Sequence, residues 1–174
     1  MLRYLGMVWD EANPQQQETA QLIATRLSQL SPAWRQQFHA AGMQVFCAGA
    51  RDDTQIHRVA EDGGIVIGAL FARHRDLLSS APDGQLRFDA LQSLAYMHGR
   101  GQWLIDHAWG DYVAFGRDGK GNKWVLKDPT GSLPCLRTSF RGVSIFFSRI
   151  GDCMELRLQR FTVNEAFLRS HLMI

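Results

Sequence analysis

The sequence predicts an α+β fold of largely antiparallel sheets covered by helices. Three observations point there. The stretch from Trp109 to Ile150 reads as four short strands joined by turns. Gly63-Gly64 and the run Asp118-Gly119-Lys120-Gly121-Asn122 supply hairpin connections. Only two or three segments carry apolar residues at helical spacing, so strands dominate and their links are short.

In chain order, Arg3 to Trp9 alternates and runs apolar, as a strand entering a core does. Asn13-Pro14 then places an N-cap residue before a proline at the first helical position. Ala20, Ile23, Leu27 and Leu30 recur at helical spacing behind it, and Pro32 limits the helix. Gln15, Gln16, Gln17, Glu18 and Gln21 make its early part polar, a face expected to be solvated, with a partner-facing surface as the alternative. Met43 to Ala48 reads as a buried strand, and Ile56 to Ala60 as another. Glu61-Asp62-Gly63-Gly64 turns the chain into the β-branched Ile65-Val66-Ile67. Arg73 to Gly84 is expected to be a loop or irregular helix, punctuated by Ser79-Ser80 and Pro82-Asp83-Gly84. Asp89 to Met97 reads as a helix with Leu91, Leu94 and Ala95 inward and Gly99 as its stop. The four strands follow, with Asp128-Pro129-Thr130-Gly131 between the second and third as a type I turn. Pro134 holds Leu133 extended. Last, Phe161 to Ile174 reads as a strand end and a helix capped near Asn164, with Phe167, Leu168 and Leu172 apolar. The closing Leu-Met-Ile offers no cap, so the chain is expected to be cut from a longer protein.

Composition narrows the function classes. At 174 residues one domain would bury ~70% of its unfolded surface. The net charge of +2 comes from Lys and Arg scattered singly, which argues against a nucleic-acid partner. The longest apolar run, Ile65 to Ala72, is eight residues, and a membrane-crossing helix needs about 20, so no membrane partner is expected. Asp10 and Glu11 break the N-terminal apolar stretch too early for a signal peptide. Three widely spaced cysteines, Cys47, Cys135 and Cys153, do not make a disulfide framework and read as reduced, small hydrophobes. The cytoplasm is the expected compartment. No CxxC, HExxH or His-x-His spacing occurs, so no metal site is assigned. Gly116-x-x-Gly119-x-Gly121 lacks the helix and Lys-Ser/Thr pair of a phosphate loop. Trp34 and Trp103, beside loops, could form a peptide-binding patch, though packing in the core or at its rim is the commoner fate of such residues.

The ordered set Gly110-Asp111-Tyr112-Val113-Ala114-Phe115, Asp128 to Pro134 as Asp-x-x-Gly-x-x-Pro, and Phe146-Phe147-Ser148-Arg149-Ile150 resembles the N-terminal glutaminase domain of asparagine synthetase and its relatives. The resemblance is carried by residues 65–156. It implies the N-terminal-nucleophile hydrolase sandwich: two packed antiparallel sheets flanked by helices, a four-layer αββα arrangement. It divides the chain into a glutaminase-like domain over 1–160 and, over 161–174, the start of a linker or helix leading to a C-terminal synthetase domain.

The same resemblance locates what has been lost. The family's nucleophile is a cysteine directly after the initiator methionine, whose free amine serves as its base; here that position is Leu2. The family's Asn-Gly-Glu element, which holds glutamine's α-amino and α-carboxylate groups, falls on Ile67-Gly68-Ala69, where only the glycine survives. The arginine-bearing strand corresponds to Met43 to Cys47, which begins Ala41-Gly42-Met43. The family's substrate-binding aspartate corresponds to Asp89, which a helix N-cap explains equally well. Leu2, Ile67, Gly68, Ala69 and Asp89 therefore mark a degraded pocket, with no catalytic residue assigned. Each charge-assisted bond lost from it was worth roughly 1.5–3 kcal/mol. Relatives without the cysteine include β-lactam synthetase and lasso-peptide macrolactam synthetase, in which the substrate's own amine attacks an acyl-adenylate. The resemblance thus implies an inactive glutaminase-like domain with a structural or substrate-positioning role, most akin to the lasso-peptide type. No cofactor is assigned to this chain; ATP and Mg belong to the expected synthetase domain. That domain is the expected partner, with a precursor peptide or its protease as further ones. A stand-alone peptide- or partner-binding scaffold module is the alternative.

Overall fold

The computed structural model describes residues 2–30, 33–49, 56–60, 62–73, 88–158 and 162–172. Their elements run β1 (Arg3–Val8), α1 (Pro14–Ser28), β2 (Arg35–Ala40), β3 (Met43–Ala48), β4 (Ile56–Val59), β5 (Gly64–Ala72), α2 (Ala90–His98), α3 (Gln102–His107), β6 (Ala108–Arg117), β7 (Lys123–Lys127), β8 (Leu136–Phe140), β9 (Val143–Phe147), α4 (Ile150–Glu155) and α5 (Glu165–Leu172). The expected loop at 73–84 lies outside the described residues beyond Arg73, as do the helix limit at Pro32, Glu61 of the hairpin turn and the strand end at Phe161.

The fold is mixed α+β with two sheets: a five-stranded one in the order β2-β3-β1-β9-β8 and a four-stranded one in the order β4-β5-β6-β7. Every strand pair is antiparallel. Three buried clusters show how they stack. Tyr4, Val45 and Cys47 of the first sheet meet Ile65, Ile67, Val113 and Phe115 of the second in one cluster, so the sheets pack face to face. On the outer side of the five-stranded sheet, Leu5, Met7 and Ile145 pack on Ile23 and Leu27 of α1 and Cys153 of α4. On the outer side of the four-stranded sheet, Val66, Tyr112 and Ala114 pack on Tyr96 of α2 and Leu104 of α3. The order of layers is helix, sheet, sheet, helix. Strand alternation explains the run Ile65-Val66-Ile67: odd residues face the other sheet and even ones the helices, so both faces must be apolar.

Local signals placed several elements. Asn13 caps α1 by accepting from the Gln16 amide at 3.2 Å, with Pro14 opening the helix. The hairpin at Gly63-Gly64 joins β4 to β5, with Val59 opposite Gly64. Asp118 organises the β6–β7 turn by accepting from the Lys120 and Asn122 amides, both at 2.9 Å, and from the Asn122 side chain at 2.8 Å. That Asn122 hydrogen bond is the largest of the effects that lower the Asp118 pKa from 3.8 to about 2. A carboxylate with a depressed folded-state pKa stabilises the protein above its unfolded value and loses that contribution as pH falls through its folded one. The thermal midpoint is therefore expected to drop between about pH 4 and pH 2, and less steeply in Asp118→Asn. Equal slopes in circular-dichroism melts of the two proteins would contradict this role.

Two expectations need correction. The inward face of α2 is Ser93 and Tyr96, whereas Leu91 is 78% exposed and Leu94 46%, and Ala95 is exposed too. Tyr96 fixes the rotation: its hydroxyl donates to the Phe115 carbonyl at 2.9 Å, and its ring packs among Phe88 and Trp124. Trp34 and Trp103 take the commoner course of core packing and form no common patch. Trp34 is buried on the α1 side and Trp103 packs on the α2–α3 side, with both sheets between them. Five helices are present among the described residues, because the short α3 and α4 join the three expected ones. Among the described residues, no helix is long and apolar enough to cross a membrane.

Candidate functional site

Leu2 lies immediately before β1, half-buried against the cluster between the sheets. Ile67 is fully buried in that same cluster. Gly68 and Ala69 continue β5 opposite Tyr112 and Asp111 of β6. Asp89 is exposed at the start of α2, where its carboxylate accepts from the Gln92 amide at 2.8 Å. The Gln92 side chain in turn accepts from the Asp89 amide at 3.0 Å. This reciprocal capping box accounts fully for Asp89. The structure thus brings Leu2 and Ile67 into one cluster and puts Asp89 on the outer helix layer.

Gly68 has a backbone reason to be glycine. Its φ is +116°, and a Cβ there would fall 2.0 Å from the Asp111 carbonyl oxygen. Gly110, across the ladder, has φ +141° and would place a Cβ 2.1 Å from the Ala69 carbonyl oxygen. The two strands approach so closely here that neither position accepts a side chain.

Two polar side chains of the cluster that Leu2 packs against, Tyr4 and Cys47, are held in neutral forms. Tyr4 donates from its hydroxyl to the Pro134 carbonyl at 2.8 Å, tying β1 to the turn before β8. Burial, followed by its contact with Cys135, pushes the phenol far above its ordinary range. Cys47, opposite Tyr4 on β3, is pushed up to about 12 by burial. Neither group is an activated nucleophile at neutral pH, because the thiolate is the reactive form of cysteine. Native protein treated with iodoacetamide at pH 8 is expected to be labelled at half-buried Cys135 alone. Cys47 and Cys153, the latter raised to about 11 by burial, should react only after unfolding. Peptide mapping by mass spectrometry checks this, and prompt labelling of native Cys47 would refute it.

The Asp128 turn is scaffold. Its carboxylate accepts from the Gly131 amide at 2.7 Å and from the Thr130 hydroxyl, while its own amide donates to the Tyr112 carbonyl at 3.0 Å. Burial, then the Asp128 charge, raises the Tyr112 phenol to about 12, against a lowering by Arg73. Among the described residues no group of three or more His, Cys, Asp or Glu side chains could hold a metal ion. The link from Tyr4 to Pro134 escaped sequence reasoning; nothing local marks a hydrogen bond spanning 130 residues.

No protein-family model matches the chain, and neither does any curated protein.

Proposed function

We propose that this chain is a catalytically silent glutaminase-like domain of the N-terminal-nucleophile hydrolase type. It serves as a structural or substrate-positioning part of an ATP-dependent, asparagine-synthetase-type amide-forming enzyme, of the lasso-peptide macrolactam synthetase kind. ATP and Mg act in the synthetase domain, its partner; a precursor peptide or its protease is a further partner. The observation that carries the reading is Leu2. It stands at the head of the central strand, in the cluster between two stacked antiparallel sheets, and it occupies the sequence position that carries the thiol in the family this chain resembles. An apolar side chain there supplies no attacking atom. The apolar Ile67 and Ala69 beside Gly68 leave glutamine's charged ends without partners.

Two measurements test it together. Incubation with L-glutamine is expected to release no ammonia above a heat-killed control. The coding sequence beyond codon 174 is expected to continue into a synthetase domain bearing a Ser-Gly-Gly-x-Asp loop. Ammonia release would overturn the silence of the site; a stop codon would overturn the synthetase assignment. A second reading, a stand-alone peptide- or partner-binding scaffold module, is favoured by the exposed, stacked rings of Phe71 and Trp109.

A further inference from the structure

The inner face of the four-stranded sheet runs past the core it shares with the other sheet. Along β5, Ile65 and Ile67 are fully buried between the sheets, Ala69 is half-buried and Phe71 is 49% exposed. Along β6, Phe115 and Val113 are fully buried, Asp111 is exposed and Trp109 is 56% exposed. The alternate residues Leu70 and Ala108 stay buried on the helix side, so the strands keep their alternation to the end. Phe71 and Trp109 are directly opposite, their rings stacked with centroids 4.6 Å apart and planes 28° apart. Asp111, two residues from Trp109 on the same face, lies about 7 Å along the strand. Its carboxylate makes no hydrogen bond or ion pair among the described residues. Lys127, the nearer of the two lysines on neighbouring β7, sits instead over the Gly131 turn, with Nζ 3.1 Å from where a Cβ on that glycine would be.

Two large rings standing half in water are costly unless something covers them. Their faces favour a cation, and an unpaired carboxylate within one side chain's reach favours the same charge. A guanidinium meets both demands, because it stacks flat on an indole while its N–H fork reaches a carboxylate. We propose that Ala69, Phe71, Trp109 and Asp111 form a docking surface for an extended peptide segment carrying an arginine, whose guanidinium stacks on the Trp109–Phe71 pair and bonds to Asp111. The assignment rests on this surface alone and holds whether or not the domain is of glutaminase type.

The test is a titration of the isotopically labelled protein with acetyl-Leu-Arg-Leu-amide, and in parallel with the same peptide bearing citrulline. The Trp109 indole N–H and the Asp111 amide are expected to shift saturably with the arginine peptide. Binding should be roughly fivefold or more weaker for citrulline, and weaker in added salt. Asp111→Asn should bring the arginine peptide down to the citrulline level, and Trp109→Ala should abolish the response. Unchanged shifts elsewhere in the spectrum certify that both variants are folded. Equal binding of the two peptides, or no shift at Trp109, overturns the proposal. So does a sedimentation result in which the protein dimerises and Trp109→Ala makes it monomeric, because the occupant would then be a second copy of the chain.

Discussion

Replacing Gly68 with alanine is expected to remove about 3 kcal/mol or more of stability. Two costs add. The residue sits at φ +116°, a conformation that L-residues adopt only under strain of about 1–3 kcal/mol. The new methyl would also lie 2.0 Å from the Asp111 carbonyl oxygen, and backbone cannot swing aside as a side-chain tip can. Relieving that overlap means parting β5 from β6, the longest ladder among the described residues, at Gly68–Tyr112. Overpacking of this kind costs about 1–3 kcal/mol more. Urea denaturation followed by tryptophan fluorescence gives the change directly. A loss under about 1 kcal/mol would mean that the strands are not so tightly apposed. Packing alone thus accounts for a glycine at position 68.

The second large effect is expected at Asp152, where alanine should cost about 3 kcal/mol. Asp152 grips Arg3 with both oxygens, at 2.6 Å to Nη2 and 3.1 Å to Nε. The side chains are 3% and 13% exposed. Arg3 also lies 5.3 Å over the Trp34 ring. The pair clamps α4 to the start of the central strand. Deleting the carboxylate strands a guanidinium in a poorly hydrated place, which is why breaking one side of such a pair costs more than the pair itself contributes. The double variant Arg3→Met with Asp152→Leu should therefore recover most of the loss. If Asp152→Ala and the double variant unfold at the same urea concentration, the stranded charge is not the cause.

Much of the architecture could be read from local signals. Asn13-Pro14, the alternation of Arg3 to Trp9, the Gly63-Gly64 hairpin and the Asp118 turn each act within a few residues, and each element lies where those signals put it. What escaped lacked such a signal. β2, reading Arg-Gln-Gln-Phe-His-Ala, buries only Phe38 and Ala40, and a bulge between Gln36 and Phe38 breaks its alternation. α3 and α4 are each six residues, too short for periodicity to emerge. The rotation of α2 was misread because leucine outranks tyrosine on a hydrophobicity scale. One hydrogen bond from Tyr96 to a strand carbonyl settles the matter instead. At the candidate site, the apolar character of Leu2, Ile67 and Ala69 was plain from the residues themselves. That Asp89 is committed to a helix cap required coordinates.

The strand nearest the N-terminus is the middle of its sheet, flanked by β3 on one side and by β9, more than 130 residues later, on the other. On a translating ribosome, residues 3–8 therefore emerge well before residues 143–152 and wait until those have been made. Until then β1 keeps a bare hydrogen-bonding edge, a hazard for mispairing with other nascent chains. Closure that must await β9 makes the folding reaction one of distant rather than neighbouring contacts, and such reactions are slow.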